Sequence, residues 1–209
     1  MKKGAVLLTV IFLAVWTAPL FAQIYSNGPP NGNTDGWTIN FGFAVSDSFS
    51  TPGGVVSDMQ FAAWLFPGDT LLNSEVLITT AEFGGTTLFD QVVNFTQQGG
   101  CPVNSYGYDV CVETGAFSAN IAAGTYWLTL QNAVVNNGDP VYWDENSGPS
   151  SASENSIGTI PSESFTLGAC GAGPNSPDCG PTVPEPSSIL LLGSGVLAAA
   201  SLLRLKMRL

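Results

Sequence analysis

The heptapeptide MQFAAWL, residues 59–65, decides the fold class. Met59, Phe61, Ala63 and Leu65 recur at every second position, so an extended chain places them on one face. A helix would need apolar residues three or four apart. The same period runs through WTINFGFAV, where Trp37, Ile39, Phe41, Phe43 and Val45 share a face. It returns in YGYDVCVE, which groups Tyr106, Tyr108, Val110 and Val112. In TYWLTLQ it sets Tyr126, Leu128 and Leu130 opposite Trp127. Further strands are expected at Val76–Thr80, Thr87–Thr96, Phe117–Ile121, Val141–Trp143 and Ser164–Leu167.

Turn residues separate these runs: Pro52-Gly53-Gly54, Pro67-Gly68-Asp69, Gly84-Gly85, Gly99-Gly100, Gly124 and Asn137-Gly138-Asp139-Pro140. About eight to ten short strands without an amphipathic helix predict an all-β fold, an antiparallel β-sandwich of jelly-roll-like type. Gln23–Gly36 and Gly148–Asn155, rich in Asn, Ser, Gly and Pro, read as loops or ragged termini.

Charge narrows the function. The chain of 209 residues has five Lys and Arg against sixteen Asp and Glu. All five cations lie at the ends: Lys2, Lys3, Arg204, Lys206 and Arg208. Between Gly4 and Leu203 there is no Lys or Arg, and the chain has no His. Such a body repels phosphate backbones, so nucleic acid is not an expected partner. It lacks the cationic clamp of phosphoryl transfer and the His or Lys base of most Ser and Cys nucleophiles. Carboxylates remain as acid–base groups, and Ca²⁺ as the cation that oxygen ligands would suit.

The start reads as an export signal. Lys2 and Lys3 precede an apolar run from Ala5 to Trp16, and after Thr17-Ala18-Pro19-Leu20-Phe21 the small residue Ala22 suits a cleavage point. Signal peptidase would cut after Ala22. An exported chain favours disulfides, and the four cysteines fall into two local pairs, Cys101 with Cys111 and Cys170 with Cys179. Four cysteines allow three connectivities, and only proximity favours the local one.

The end reads VPEPSSILLLGSGVLAAASLLRLKMRL, from Val183 to Leu209. Ile189 to Leu203 is uncharged and rich in Leu and Ala, enough for a helix of about 22 Å, close to the lower limit for spanning a bilayer. Arg204, Lys206 and Arg208 would hold its far end on the cytoplasmic side. A core helix would carry a polar face, which this run lacks. A GPI signal normally lacks the basic residues after its apolar tail.

The order of Val183-Pro184-Glu185-Pro186, a short apolar helix and a basic terminus resembles the PEP-CTERM sorting signal of exported bacterial proteins. The resemblance implies recognition and cleavage by an exosortase, transient anchoring in the inner membrane, and a destination at the cell surface or in the extracellular matrix, often beside exopolysaccharide. The expected organisation is a signal peptide over 1–22 and a β-sandwich over 23–167. A Gly/Pro/Cys linker follows over 168–183, then the sorting signal over 184–209 with a transmembrane segment at 187–203.

Within the body, NNGDPVYWDENSG, residues 136–148, gathers the residue types that chemistry needs. Asp139, Asp144 and Glu145, with Asn146, could supply oxygens to Ca²⁺, and Tyr142 or Trp143 could stack on a sugar. No EF-hand spacing is present. The plainer alternative packs Tyr142 and Trp143 in a strand while the acids face water. Trp37, Trp64 and Trp127 pose the same choice between core and exposed platform. The expectation is a non-catalytic surface or matrix protein that contacts polysaccharide and needs no cofactor, with Ca²⁺ open as a bridge from its acidic surface to other anionic polymers. Its rival is a polysaccharide hydrolase using two carboxylates among Glu113, Asp144, Glu145 and Glu163.

Overall fold

The computed structural model describes residues 23–169, and every ladder among them is antiparallel. Twelve strands follow in chain order: β1 (Gln23–Ser26), β2 (Gly36–Thr38), β3 (Ala44–Thr51), β4 (Gly54–Leu65), β5 (Leu71–Ala81) and β6 (Gly84–Gln98). Then come β7 (Asp109–Ile121), β8 (Gly124–Val135), β9 (Tyr142–Asp144), β10 (Ala152–Glu154), β11 (Gly158–Ile160) and β12 (Phe165–Ala169). The signal peptide, Cys170, Cys179, the linker beyond Ala169 and the apolar tail segment lie outside the described residues.

The strands run β1-β12-β4-β7-β6-β5-β8-β3-β10-β11, with β9 on β4 and β2 on β9. The sheet curls at β6, which pairs with β5 over Gly84–Asn94 and with β7 only from Phe95 to Gln98. Curling brings the inner faces into one apolar cluster. Val45 and Phe49, Met59 and Phe61, Val76 and Ile78, Phe117, Leu128 and Leu130, and Leu167 all belong to it. Tyr25 of β1 lies 5.9 Å, ring to ring, from Phe49 of β3, so strands far apart along the sheet meet in the core.

The two-residue period holds where the strands are long. Met59, Phe61, Ala63 and Leu65 point into the core, as do Tyr126, Leu128 and Leu130. It misleads at residues 37–45. Phe41 adopts φ +56° and Phe43 N donates to Asn40 O (3.0 Å), so a turn separates β2 from β3. Phe41 is 65% exposed there. The reading of Gln23–Gly36 and Gly148–Asn155 as loops also needs correction, because they contain β1 and β10. Those short strands form by pairing with β12 and β3, a tertiary effect that local polarity hides.

The inner face also holds acids. Glu113 lies on β7 between the core residues Cys111 and Phe117, and is 1% exposed. Neither of its carboxyl oxygens has a hydrogen-bond partner, and burial pushes its pKa up to about 7. Asp47, between Val45 and Phe49 on β3, rises to about 6, chiefly through burial. Both groups bind protons more tightly folded than unfolded. Their stabilising effect is full below about pH 4 and is lost as pH rises through about 6 to 7. Thermal melts should therefore show a less stable body at pH 8 than at pH 5. Glu113→Gln should raise stability at pH 8 by on the order of 2 kcal/mol and flatten the dependence. Stability that climbs from pH 5 to pH 8 would contradict this.

Candidate functional site

The outer face of β4 and β7 carries a second, smaller core of Ala62, Trp64 and Val110, with Tyr108 and Tyr142 packed against it. The segment between β1 and β2 lies over it. A Cβ added to Gly32 would touch the Val110 methyls at 3.4 Å, and one added to Gly36 would press on the Trp64 ring at 3.2 Å. Glycine at 36 thus lets the backbone lie against the indole.

Asp144 organises this covering. Trp64 Nε1 donates to its Oδ1 (2.7 Å), as does Gly32 N (2.7 Å), and Asn31 N donates to its Oδ2 (2.7 Å). The carboxylate is fully buried, and burial raises its pKa while these donors oppose the rise. Glu145 Oε2 accepts from Trp37 Nε1 (3.0 Å). Asp144 and Glu145 therefore do not face water; indole and amide N–H groups take the place of the missing cations.

The loop between Cys101 and Cys111 adds the aromatic wall. These cysteines form a disulfide ten residues apart, with Cα atoms 4.5 Å from each other. Inside the loop, Tyr106 N and Tyr108 N both donate to Asn104 Oδ1 (3.0 Å each), which makes a tight turn where the sequence pattern suggested a strand. Tyr106 stacks on Trp64 (ring centroids 5.6 Å, 25° between planes) and stays 60% exposed. Tyr108 meets Tyr142 edge to face at 5.3 Å.

Together Thr34, Asp35, Gly36, Trp64, Tyr106, Tyr108 and Tyr142 line a pocket of about 280 Å³. Tyr142 is the one candidate contact from residues 139–145 that reaches it. Trp143 is fully buried, with its ring edge to face with Phe61 and Phe165. Asp144 and Glu145 sit behind the pocket. Asp139 is away from it, its backbone carbonyl accepting from Asn40 Nδ2 (2.9 Å). Trp127 is half-buried on β8 beside Ser48 and Thr79. Sequence reasoning missed Asp35 and assigned Tyr106 to a strand. Two tyrosines flanking a glycine inside a short disulfide loop were the available signal.

The hydrolase candidates are buried as well. Glu113, Asp144, Glu145 and Glu163 do not line this pocket. Glu163 has no partner for either carboxyl oxygen. Burial, then the charges of Asp47, Glu145, Asp144 and Asp35, raise its pKa well above the usual range. Among the described residues, no three His, Cys, Asp or Glu side chains converge to hold a metal ion.

Residues 182–205 match the PEP-CTERM protein-sorting motif, which covers the sorting residues Val183, Pro184, Glu185 and Pro186. The motif implies an exported protein that is transiently anchored in the membrane and sorted by an exosortase. No curated protein matches the chain in sequence.

The disulfide should be needed to hold the aromatic wall. Replacing Cys101 and Cys111 together by Ala should cost about 2–3 kcal/mol in denaturant unfolding. It should also weaken the near-ultraviolet dichroism of the stacked Trp64 and Tyr106. Unchanged stability and an unchanged aromatic signal would show that the loop holds without the bridge.

Proposed function

We propose that the body is a non-catalytic glycan-binding module, presented at the cell surface or in the extracellular matrix after exosortase processing. The two halves of its curled sheet would act as a jelly-roll-like sandwich that carries the site at one end. The observation that carries this reading is the exposed Tyr106 ring, backed by Trp64 and flanked by Tyr108 and Tyr142 in a concave patch. Sugar rings present C–H faces that lie well on such flat, rigid side chains, and hydroxyls that suit a polar rim.

Placement agrees with display. Gln23 pairs with Gly168, and Ala169 pairs with Val56 near the start of β4, so both ends of the body leave together. Trp64 lies eight residues further along β4, roughly 26 Å away. Glycan binding here calls for no Ca²⁺, since aromatic faces and hydrogen bonds suffice.

The rival hydrolase has less support. A glycosidase needs two carboxylates flanking the bond, and this pocket has Asp35 alone. A glycan-binding screen with the full chain in detergent, with and without EDTA, tests the proposal beside a reducing-sugar release assay. Tyr106→Ala should weaken binding about tenfold, near 1.4 kcal/mol, EDTA should change nothing, and no sugar should be released. Hydrolysis abolished by one acid-to-amide change would overturn the reading, as would binding indifferent to Tyr106.

A further inference from the structure

The lining of the pocket is unusual in its charge. It combines one indole, three phenol rings, a hydroxyl, a glycine and a single carboxylate. No Lys, Arg or His stands between Gly4 and Leu203, so Asp35 has no cationic side chain in the body to pair with. Its Oδ1 accepts a local bond from Gly36 N (2.8 Å), which fixes the carboxylate at the rim. The face of an aromatic ring is negative, and several rings around one acid attract an organic ammonium. Behind Trp64, the Asp144 carboxyl adds to the same sign of potential.

We infer that the pocket selects an amino sugar whose nitrogen is unacylated and protonated, the ammonium meeting Asp35 and the ring lying on Tyr106. This deepens the glycan-binding reading and rests on it. A neutral sugar would gain the stacking but leave the carboxylate without a charged partner. A uronate or sulfated sugar would bring its anion against Asp35 in a body with no cation to offset it. The amine satisfies both features of the pocket at once. Salt should weaken its advantage, because Asp35 is exposed and its field is screened.

The test compares short glucosamine oligomers with their N-acetylated counterparts and with oligogalacturonate, titrated into the full chain in detergent at low and high salt. The amine oligomers should bind about tenfold tighter than the acetylated ones at low salt, and the uronate should not bind. Asp35→Asn keeps the Oδ1 acceptor for Gly36 and should melt at the wild-type temperature. It should weaken amine binding about tenfold and so erase most of the preference, whereas Tyr106→Ala should weaken both ligands. Equal, Tyr106-dependent binding of amine and acetamide would overturn the inference and leave the glycan module standing. A preference that survives Asp35→Asn, or amine binding that ignores Tyr106, would assign the effect to diffuse surface charge and also overturn it. If no oligomer binds, both readings fail together.

Discussion

The Asp144 carboxylate is the constraint on which the site depends. It is buried in a body without a single cationic side chain, so its charge is met by hydrogen-bond donors and not by an ion pair. Three of them converge on it: two from the backbone of the segment after β1, and one from the Trp64 indole on β4. A buried acid left without donors would stay protonated or unfold its surroundings. Here the donors come from separate parts of the chain, and meeting the charge draws those parts together. The segment before β2 is thereby held on the outer face of β4 and β7, and the indole is fixed with its face toward Tyr106.

Neighbouring acids reach different settlements. Asp47 accepts from Glu163 N (2.7 Å) and from Asn27 Nδ2 (3.1 Å), which links β3 to the segments beside β1 and β12. Asn27 Nδ2 also lies within 2.7 Å of Ser150 Oγ, Ser162 Oγ and Glu163 O. Glu163 opposes Glu145 across an antiparallel bridge, and its own carboxyl has no donor. With no cation at hand, the favoured state of that group is the protonated one. The body thus holds buried acids of two kinds, those answered by N–H donors and those that keep a proton.

The long strands were legible because their apolar period reflects a single demand, that one face meet the core. Met59 to Leu65 and Tyr126 to Leu130 obey it. Trp37 to Val45 repeats the same letters through a turn, since the turn residues Phe41 and Phe43 happen to keep the spacing while pointing into solvent. The second core under Trp64 was not legible, because it depends on a polar, glycine-rich segment laid across β4 from elsewhere in the chain. Asp144 was singled out as an oxygen donor for a glycan or Ca²⁺, but it accepts from Asn31 N and Gly32 N, more than a hundred residues away in sequence, and from Trp64 Nε1, eighty residues away. No local pattern records such a pairing. The sorting motif was readable because all of its parts are contiguous.

The claim that the buried Asp144 carboxylate fixes the pocket wall is tested most directly by hydrogen exchange of the Trp64 indole N–H and the Asn31 and Gly32 amides. In the wild-type chain all three should be strongly protected, and Asp144→Ala should release the three together while the centres of β4 and β8 stay protected. Protons that exchange freely in the wild type, or that stay protected without the carboxylate, would contradict the account.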